Sequence, residues 1–135
     1  MKKYIYQLEL KVRDYECDLQ GIVNNSVYQN YYEHTRHEYL LSKGVSFPDM
    51  HDEGADAVVA RIEIAYKVSL RSGDEFISCL NVKKEKMKYI FEQAIFRKSD
   101  NALCSKAKVT TVVIENGTLQ NGHPTFDKLI NDQSV

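Results

Sequence analysis

The sequence predicts an α+β fold in which one long helix packs on a sheet of five antiparallel strands. Three observations lead to this prediction. The segment from Tyr4 to Arg13 alternates apolar and polar residues with the period of a half-buried strand. The period then changes to that of an amphipathic helix. From residue 58 onward, four alternating segments are joined by turns so short that consecutive strands must be antiparallel neighbours.

The predicted helix covers about residues 26–42. Its apolar face falls at positions i, i+3, i+4, i+7 and i+11, and consists of Tyr28, Tyr31, Tyr32, Thr35 and Tyr39. The opposite face carries Gln29, Asn30, Glu33, Arg36 and His37. Asn25 or Ser26 is predicted to cap the start of the helix, and Gly44 lies where a left-handed residue commonly ends one.

The connection after the helix and the strands beyond it complete the prediction. Residues 44–56 form a loop long enough to suggest a functional role. The strand that follows alternates, and its predicted inner face consists of Val58, Ala60, Ile62, Ile64 and Tyr66. The remaining strands are predicted over residues 76–84, 89–98 and 103–114. The tail from Glu115 is polar, and we expect it to pack loosely.

Length, charge and cysteine content restrict the class of protein. A chain of 135 residues has the size of one domain, which we assign to residues 1–135. Its 18 Lys and Arg nearly balance 19 Asp and Glu, so we expect no nucleic acid as a partner. No segment approaches the roughly 20 apolar residues of a membrane span, and the start has no signal-peptide pattern. Three cysteines without a C-x-x-C pair are typical of reduced thiols in a cytoplasmic protein, and no structural metal is predicted.

The segment between the first strand and the helix is the strongest candidate for a site. Asp18 precedes the predicted helix by a few residues, and Gly21 lets the backbone turn back between them. The first amides of a helix lack intrahelical partners and carry a partial positive charge, which stabilises an oxyanion formed at a carbonyl. A carboxylate on the other side of that carbonyl serves as a nucleophile or as a base toward water. The alternative is that Asp18 only stabilises the turn.

The same segment resembles the signature of a known enzyme family. The residues that carry the resemblance are Asp18-x-x-Gly21-x-Val23-x-Asn25-x-x-Tyr28-x-x-Tyr31/Tyr32-Glu33-x-x-Arg36. This pattern is similar to that of the 4-hydroxybenzoyl-CoA thioesterase family, and most closely to its YbgC-like branch of bacterial acyl-CoA thioesterases. A weaker similarity is found in Ile62-x-Ile64-x-Tyr66, followed by Gly73-Asp74-Glu75. Together the resemblance covers about residues 5–115.

Membership in that family implies a hotdog fold, with a five-stranded antiparallel sheet wrapped around one long helix. It also implies homodimers that often pair into homotetramers, and hydrolysis of an acyl-CoA thioester to acid and CoA without a cofactor. Asp18 falls on the catalytic position, and the backbone N–H of Asn25 falls on the group that polarises the thioester carbonyl. Val23 and Tyr28 then flank the thioester. Many relatives carry His or Tyr where this chain has Asn25.

Two other functions stay open on the sequence. The first is a non-catalytic protein of the same fold that binds acyl-CoA or acyl-carrier protein, with Asp18 serving only the turn. A hydratase or dehydratase is less favoured, because that chemistry generally needs a histidine in the segment that enters the helix. The first histidine of this chain, His34, lies well inside the helix.

The remaining polar candidates are interpreted as structural. Glu33 is the catalytic carboxylate in another branch of hotdog thioesterases, but here we expect it to pair with Arg36 or His37 on the helix. We expect the run His51-Asp52-Glu53 to be a solvated loop rather than a metal site, and Cys17 to be a packed thiol. For the phosphates of CoA the sequence offers, without favouring one, Arg61, Lys67, Arg71 and Lys83.

Overall fold

The structure is a computed structural model that describes residues 3–131. The two ends of the predicted 1–135 domain, residues 1–2 and 132–135, lie outside the described part. No helix within residues 3–131 combines the length and the apolar content needed to cross a bilayer.

The helices and strands follow one another in the order β, α, α, β, β, β, β, β, α. The strands are β1 (Tyr6–Lys11), β2 (Ala55–Tyr66), β3 (Glu75–Glu85), β4 (Lys88–Arg97), β5 (Leu103–Glu115) and the short β6 (Thr118–Leu119). The helices are α1 (Asn25–Ser42), α2 (Phe47–Asp52) and α3 (Pro124–Asn131).

All strands pair antiparallel in one sheet, in the order β1-β3-β4-β5-β2, with β6 added to β5. The sheet curls around α1, whose tyrosine face packs into its concave side. The predicted hotdog architecture is therefore confirmed. The six-residue strand β1 and the twelve-residue strand β2 form the two edges of the sheet.

The buried face of α1 contains all five residues predicted for it, which are Tyr28, Tyr31, Tyr32, Thr35 and Tyr39. Arg36, which the helical period assigned to the polar face, is also buried, with only 6% of its surface exposed. The prediction was wrong here because the sheet curls far enough to cover a wider arc of the helix than an open sheet would.

The ends of α1 differ in how well the sequence predicted them. Asn25 is the first helical residue and not the cap; Asn24 precedes the helix, and its side chain caps no amide. Gly44 adopts the predicted left-handed conformation, with φ of 78°. The amide of Val45 donates to the carbonyl of Leu40 at 2.9 Å, and that of Gly44 donates to Leu41 at 3.0 Å, as in a Schellman motif.

Strand β2 contains a β-bulge, which corrects its predicted inner face. Its register against β5 shifts by one residue between Val59 and Arg61. The core therefore receives Ala57 before the bulge but Ile62 after it. Val58, predicted on the same face as Ile62, is instead 40% exposed.

Two segments predicted to be irregular are helical. Within residues 44–56, the hydroxyl of Ser46 accepts a hydrogen bond from the amide of Asp49 and caps α2. The tail beyond Glu115 forms β6 and α3 and does not pack loosely: Phe126 and Leu129 of α3 are almost fully buried. Burial of such side chains contributes roughly 1.5–3 kcal/mol each.

A polar cluster also fixes α3 to the sheet. The carboxylate of Asp127 accepts hydrogen bonds from the Tyr89 hydroxyl at 2.5 Å and from Lys84 Nζ at 2.8 Å. The Tyr89 hydroxyl in turn accepts from the amide of His123 at 2.9 Å. The start of α3 is therefore bound to neighbouring strands β3 and β4 by charge-assisted contacts.

Candidate active site

The segment that enters α1 is a small hairpin. Cys17 and Val23 form an isolated antiparallel bridge, and the amide of Asp18 donates to the carbonyl of Ile22 at 2.9 Å. The amide of Gly21 donates back to the carbonyl of Asp18 at 3.0 Å, and Gly21 has a φ of 78°. A residue with a side chain adopts this φ only with strain, which explains the glycine in the motif.

The carboxylate of Asp18 organises the hairpin tip. Its Oδ1 accepts hydrogen bonds from the amides of Gln20 at 2.8 Å and Ile22 at 3.4 Å, as in an Asx-turn. No described residue donates to its Oδ2, and the residue is exposed in the single chain. Within one chain, Asp18 therefore contacts its own loop and makes no hydrogen bond to the amides that open α1.

Asn25 presents those amides. As the first residue of α1 it has no intrahelical partner for its N–H, and no described residue accepts a hydrogen bond from it. Its carbonyl accepts a hydrogen bond from the Tyr66 hydroxyl at 3.1 Å. An open N–H at the positive end of an 18-residue helix is a donor suited to a carbonyl oxygen or an oxyanion.

Three of the four predicted site residues line one small cavity of about 70 Å³, and Asp18 does not. The cavity is lined by Val23, Asn25, Tyr28, Ile22, Tyr66, Lys67, Val68, Ser69 and Cys104. Its volume exceeds the roughly 30 Å³ that one water occupies but is far below that of a typical ligand pocket. In the single chain, this cavity therefore accommodates a small group such as a carbonyl and not an acyl chain.

Tyr28 and Tyr66 form one wall of this small cavity. Their rings meet edge to face with centroids 5.4 Å apart. The Tyr28 hydroxyl accepts a hydrogen bond from the amide of Leu70 at 3.2 Å, and burial raises the pKa of Tyr28, so it is uncharged at neutral pH. Sequence reasoning placed Tyr66 in a family motif but not in the site. The sequence contains a signal for this role, since Tyr66 ends an otherwise aliphatic strand face and its hydroxyl therefore lies at the margin of the sheet.

Glu16 is a second residue that sequence reasoning missed. Although charged, it is only 8% exposed. Its Oε1 accepts hydrogen bonds from the Tyr31 hydroxyl at 2.8 Å and from the Arg13 amide at 2.7 Å. Glu16 therefore connects the hairpin that carries Asp18 to the second turn of α1. No feature of the local sequence distinguishes it from the neighbouring exposed Asp14.

A larger cavity of about 450 Å³ lies along the same helix. From α1 it is lined by Gln29, Glu33, Arg36, His37 and Leu40. The opposite wall comes from α2, β2, β4, β5 and α3. Its volume is within the range of small-molecule pockets, which runs from roughly 300 to 1,000 Å³.

The other polar candidates make local contacts. Glu33 was predicted to pair with Arg36 or with His37. Its carboxylate lies 3.8 Å from His37 Nε2, and it is not within ion-pair distance of Arg36. His51 lies in α2, not in a loop, and its Nδ1 is 2.7 Å from Asp56 Oδ1. Burial raises the pKa of the Cys17 thiol, which disfavours the thiolate that a nucleophilic cysteine needs.

The four basic residues considered for CoA lie apart. Arg61 and Lys83 carry acidic partners, Glu63 at 2.6 Å and Glu92 at 3.6 Å. Lys67 is the member of the set that lines the small cavity. The amide of Arg71 is bound to Asp74 in a turn.

An antiparallel sheet curled around one long helix defines a hotdog-fold domain, and the start of that helix lies beside a small cavity. Residues 12–129 match the sequence profile of the Thioesterase-like superfamily. The chain therefore belongs to that superfamily.

Individual relatives agree with this assignment. The chain is 37% identical over 112 residues to the acyl-acyl carrier protein thioesterase ATL2, chloroplastic, of Arabidopsis thaliana, with 82% of this chain and 60% of the relative covered. It is 34% identical over 110 residues to a putative esterase of Aquifex aeolicus, with 81% and 84% covered. The chain thus spans about 60% of the length of its plant relatives.

A solved structure shows the same fold at low sequence identity. The 1,4-dihydroxy-2-naphthoyl-CoA thioesterase Slr0204 of Synechocystis superposes with a TM-score of 0.90 at 15% identity, covering 96% of this chain and 98% of that one. At that identity the likeness concerns the fold.

Proposed function

We propose that this protein hydrolyses an acyl thioester, carried on CoA or on an acyl-carrier protein, to the free acid and the thiol. The observation that carries the proposal is the unpaired N–H of Asn25 at the start of α1, beside a cavity that fits a carbonyl, in a member of the Thioesterase-like superfamily. The motif from Asp18 to Arg36 supports placing the chain in the 4-hydroxybenzoyl-CoA thioesterase family, in its YbgC-like branch. The names of the plant relatives support an acyl-carrier protein as one of the two carriers of the acyl group.

In the proposed mechanism, the thioester carbonyl accepts a hydrogen bond from the N–H of Asn25, and Val23 and Tyr28 flank the thioester. The helix start then stabilises the negative charge that develops on the oxygen when the carbonyl is attacked. Removal of one such donor typically lowers the rate by about 100-fold or more.

Asp18 provides the attacking group in one of two ways. As nucleophile, its carboxylate oxygen bonds to the carbonyl carbon, the C–S bond breaks and the thiolate leaves. One water then hydrolyses the mixed anhydride to the acid and the free Asp18 carboxylate, and the proton released in that step protonates the thiolate. As general base, it removes a proton from a water whose oxygen attacks the carbonyl carbon directly. The tetrahedral intermediate then collapses, the C–S bond breaks, and the leaving thiolate takes the proton from Asp18. Both routes consume one water and release one acid and one thiol.

A second copy of the chain completes the proposed site. Edge strand β2 is 12 residues long and exposes Val58 and Val59 by 40% and 46%. Such an edge is a template for pairing with another strand. We infer a homodimer in which two β2 strands pair, with the substrate across the interface, so that the exposed Asp18 is enclosed. Homotetramers would form from such dimers.

The test is thiol release from a panel of acyl-CoA thioesters by the wild type and by Asp18→Asn. Asparagine retains the Oδ1 that accepts the amides of Gln20 and Ile22, so the hairpin keeps its shape while the charge is lost. We expect kcat/KM to fall at least 100-fold. Asp14→Asn, in the same segment, is the matched control and should keep wild-type activity.

The Asx-turn made by Asp18 favours one competing function, a non-catalytic acyl-CoA or acyl-carrier-protein binding protein. Saturable turnover by the wild type excludes it. If Asp18→Asn retained wild-type hydrolysis, Asp18 would be a turn residue and its proposed catalytic role would be wrong.

A further inference from the structure

Arg36 is a buried cation whose one hydrogen-bond partner among the described residues is neutral. Its guanidinium Nη1 donates to Gln93 Oε1 at 3.0 Å, and within residues 3–131 no carboxylate lies within 4.0 Å of it. The Gln93 amide is itself fixed, because its Nε2 donates to the Tyr32 carbonyl at 3.2 Å. A guanidinium has five N–H donors, so this contact leaves most of the donor fork unused. Burial lowers the pKa of Arg36 to about 10, and the group is still charged at neutral pH.

Arg36 lines the 450 Å³ cavity, whose wall otherwise combines seven apolar residues with five polar ones. The apolar lining consists of Leu40, Phe47, Ala57, Val59, Ile62, Phe91 and Phe126. A charge in such surroundings is costly unless it is paired. The cavity therefore favours a ligand that is apolar along its length and carries a hydrogen-bond acceptor at one point.

The acidic residues of this cavity lie at its solvent rim. The side chains of Glu33 and Asp56 are 52% and 51% exposed, and each faces a histidine, His37 or His51. Glu33 partly offsets the desolvation of Arg36 but forms no ion pair with it. The Arg36 charge is therefore only partly offset, and among the described residues it has no ion-pair partner.

The cavity and the proposed reaction centre lie along one helix. Gln29, the first α1 residue of the cavity, is one helical turn after Asn25. Arg36 is eleven residues after Asn25, which corresponds to roughly 16 Å along the helix axis at 1.5 Å per residue. An acyl group whose carbonyl lies at Asn25 would reach Arg36 with its far end.

We infer that the large cavity binds the acyl part of the substrate, and that Arg36 selects acyl groups that carry an oxygen acceptor at the end remote from the thioester. The inference rests on the proposed thioesterase function. A carboxylate is the best match, because its two oxygens accept parallel N–H bonds from the guanidinium fork; a hydroxyl or keto oxygen accepts one.

Three acyl-CoA thioesters of equal chain length, ending in methyl, hydroxyl or carboxylate, test the preference on the wild type. We expect kcat/KM to be at least tenfold higher for the carboxylate than for the methyl compound, with the hydroxyl compound between them. The hydroxyl arm separates selection for charge from selection for any oxygen. A wild-type preference for the methyl compound would overturn the inference.

Variants at position 36 test the residue itself. Arg36→Met keeps length and apolar burial, and we expect it to lower the carboxylate-to-methyl ratio at least tenfold, mainly through KM. Arg36→Lys keeps the positive charge but lacks the planar guanidinium, so we expect a smaller decrease in the carboxylate-to-methyl ratio. This variant also tests the inference if Arg36→Met fails to fold. The control is Lys98→Met, at a cation whose side chain is 51% exposed and paired with Glu9 and Glu75, and it should leave the ratio unchanged.

Two further measurements separate this selectivity from a structural role and from the proposed function. Acetyl-CoA is too short to reach Arg36, so its turnover should be equal in wild type and Arg36→Met; a parallel loss would show a structural role and contradict the inference. Calorimetry with non-hydrolysable thioether analogues of the three compounds measures the same ratio without catalysis. If the protein did not hydrolyse the thioesters but still bound the carboxylate analogue more tightly than the methyl analogue, the thioesterase function would be rejected and the selectivity of Arg36 would be supported.

Discussion

The Tyr31 hydroxyl donates a hydrogen bond of 2.8 Å to Oε1 of Glu16, although the two residues are 15 positions apart. The Glu16 carbonyl accepts a second bond, from the amide of Asn24 at 3.1 Å, directly before α1. Glu16 therefore closes the base of the hairpin with Asp18 through its carbonyl and binds it to α1 through its side chain. The position of the proposed catalytic carboxylate depends on a buried phenol–carboxylate contact outside the reaction centre.

Replacement of this phenol gives the first prediction. Burial, followed by the hydrogen bond to Glu16, raises the pKa of Tyr31 above its usual range, so it is a donor at every physiological pH. A hydrogen bond to a charged group contributes about 1.5–3 kcal/mol, and we expect Tyr31→Phe to lower the free energy of unfolding by about that amount. Urea denaturation measures the change. Tyr15→Phe, at a side chain 77% exposed, should change it by less than about 0.5 kcal/mol; equal stabilities of the two variants would contradict the prediction.

The attachment of α3 predicts a pH dependence. Burial raises the pKa of Asp127, but hydrogen bonds from Lys84 and Tyr89 outweigh that effect, and the pKa lies below its usual value. A carboxyl group with a depressed folded pKa stabilises the fold above its unfolded pKa of about 3.9, and this stabilisation is lost as the pH falls through the folded value.

We therefore expect the difference in Tm between wild type and Asp127→Asn to stay constant from about pH 7 to pH 5 and to shrink below about pH 4. Circular dichroism melts across this range measure it. Asp52→Asn, at an exposed residue of α2, serves as control and should show no such difference. If the difference in Tm between wild type and Asp127→Asn stayed the same below about pH 4, the ionised carboxylate would not be the group that binds α3.

The proposed dimer predicts that Val58→Lys weakens self-association. Pairing of the β2 edges would cover the exposed apolar side chain of Val58, and a lysine at that position would lose its hydration without gaining a partner. Light scattering coupled to size-exclusion chromatography should show a shift from dimer toward monomer at micromolar concentration. Ile5→Lys, beside the opposite edge strand β1, is the matched control. If only the Ile5 variant dissociated, the interface would lie at the β1 edge.

The sequence predicted the parts of the fold that follow from local periodicity. The buried tyrosines of α1 follow from the helical period, and the four strands after residue 55 follow from alternation of apolar and polar residues. Both are found where the sequence predicted them. Gly44 was also identified, because a left-handed helix end requires little more than local backbone chemistry.

The errors share a different physical origin, since each depends on contacts distant in sequence. Arg36 is buried because the sheet curls around α1, and Glu16 is buried because Tyr31 supplies a donor. The α3 helix forms in a polar tail because Phe126 and Asp127 find partners on strands about 40 residues earlier. Of the predicted site, Val23, Asn25 and Tyr28 line one small cavity, whereas Asp18 is exposed and does not line it.

The bulge in β2 has a consequence for how relatives of this chain are compared. One extra residue near Ala60 lets the strand direct odd-numbered side chains to the core in its first half and even-numbered ones in its second. An alignment drawn without a gap at this point, against a homologue whose strand is regular, would match core positions with surface positions through one half of the strand. Aliphatic residues of one chain would then be aligned with charged residues of the other. Such apparent substitutions would result from the one-residue offset and not from a change in the environment of the position.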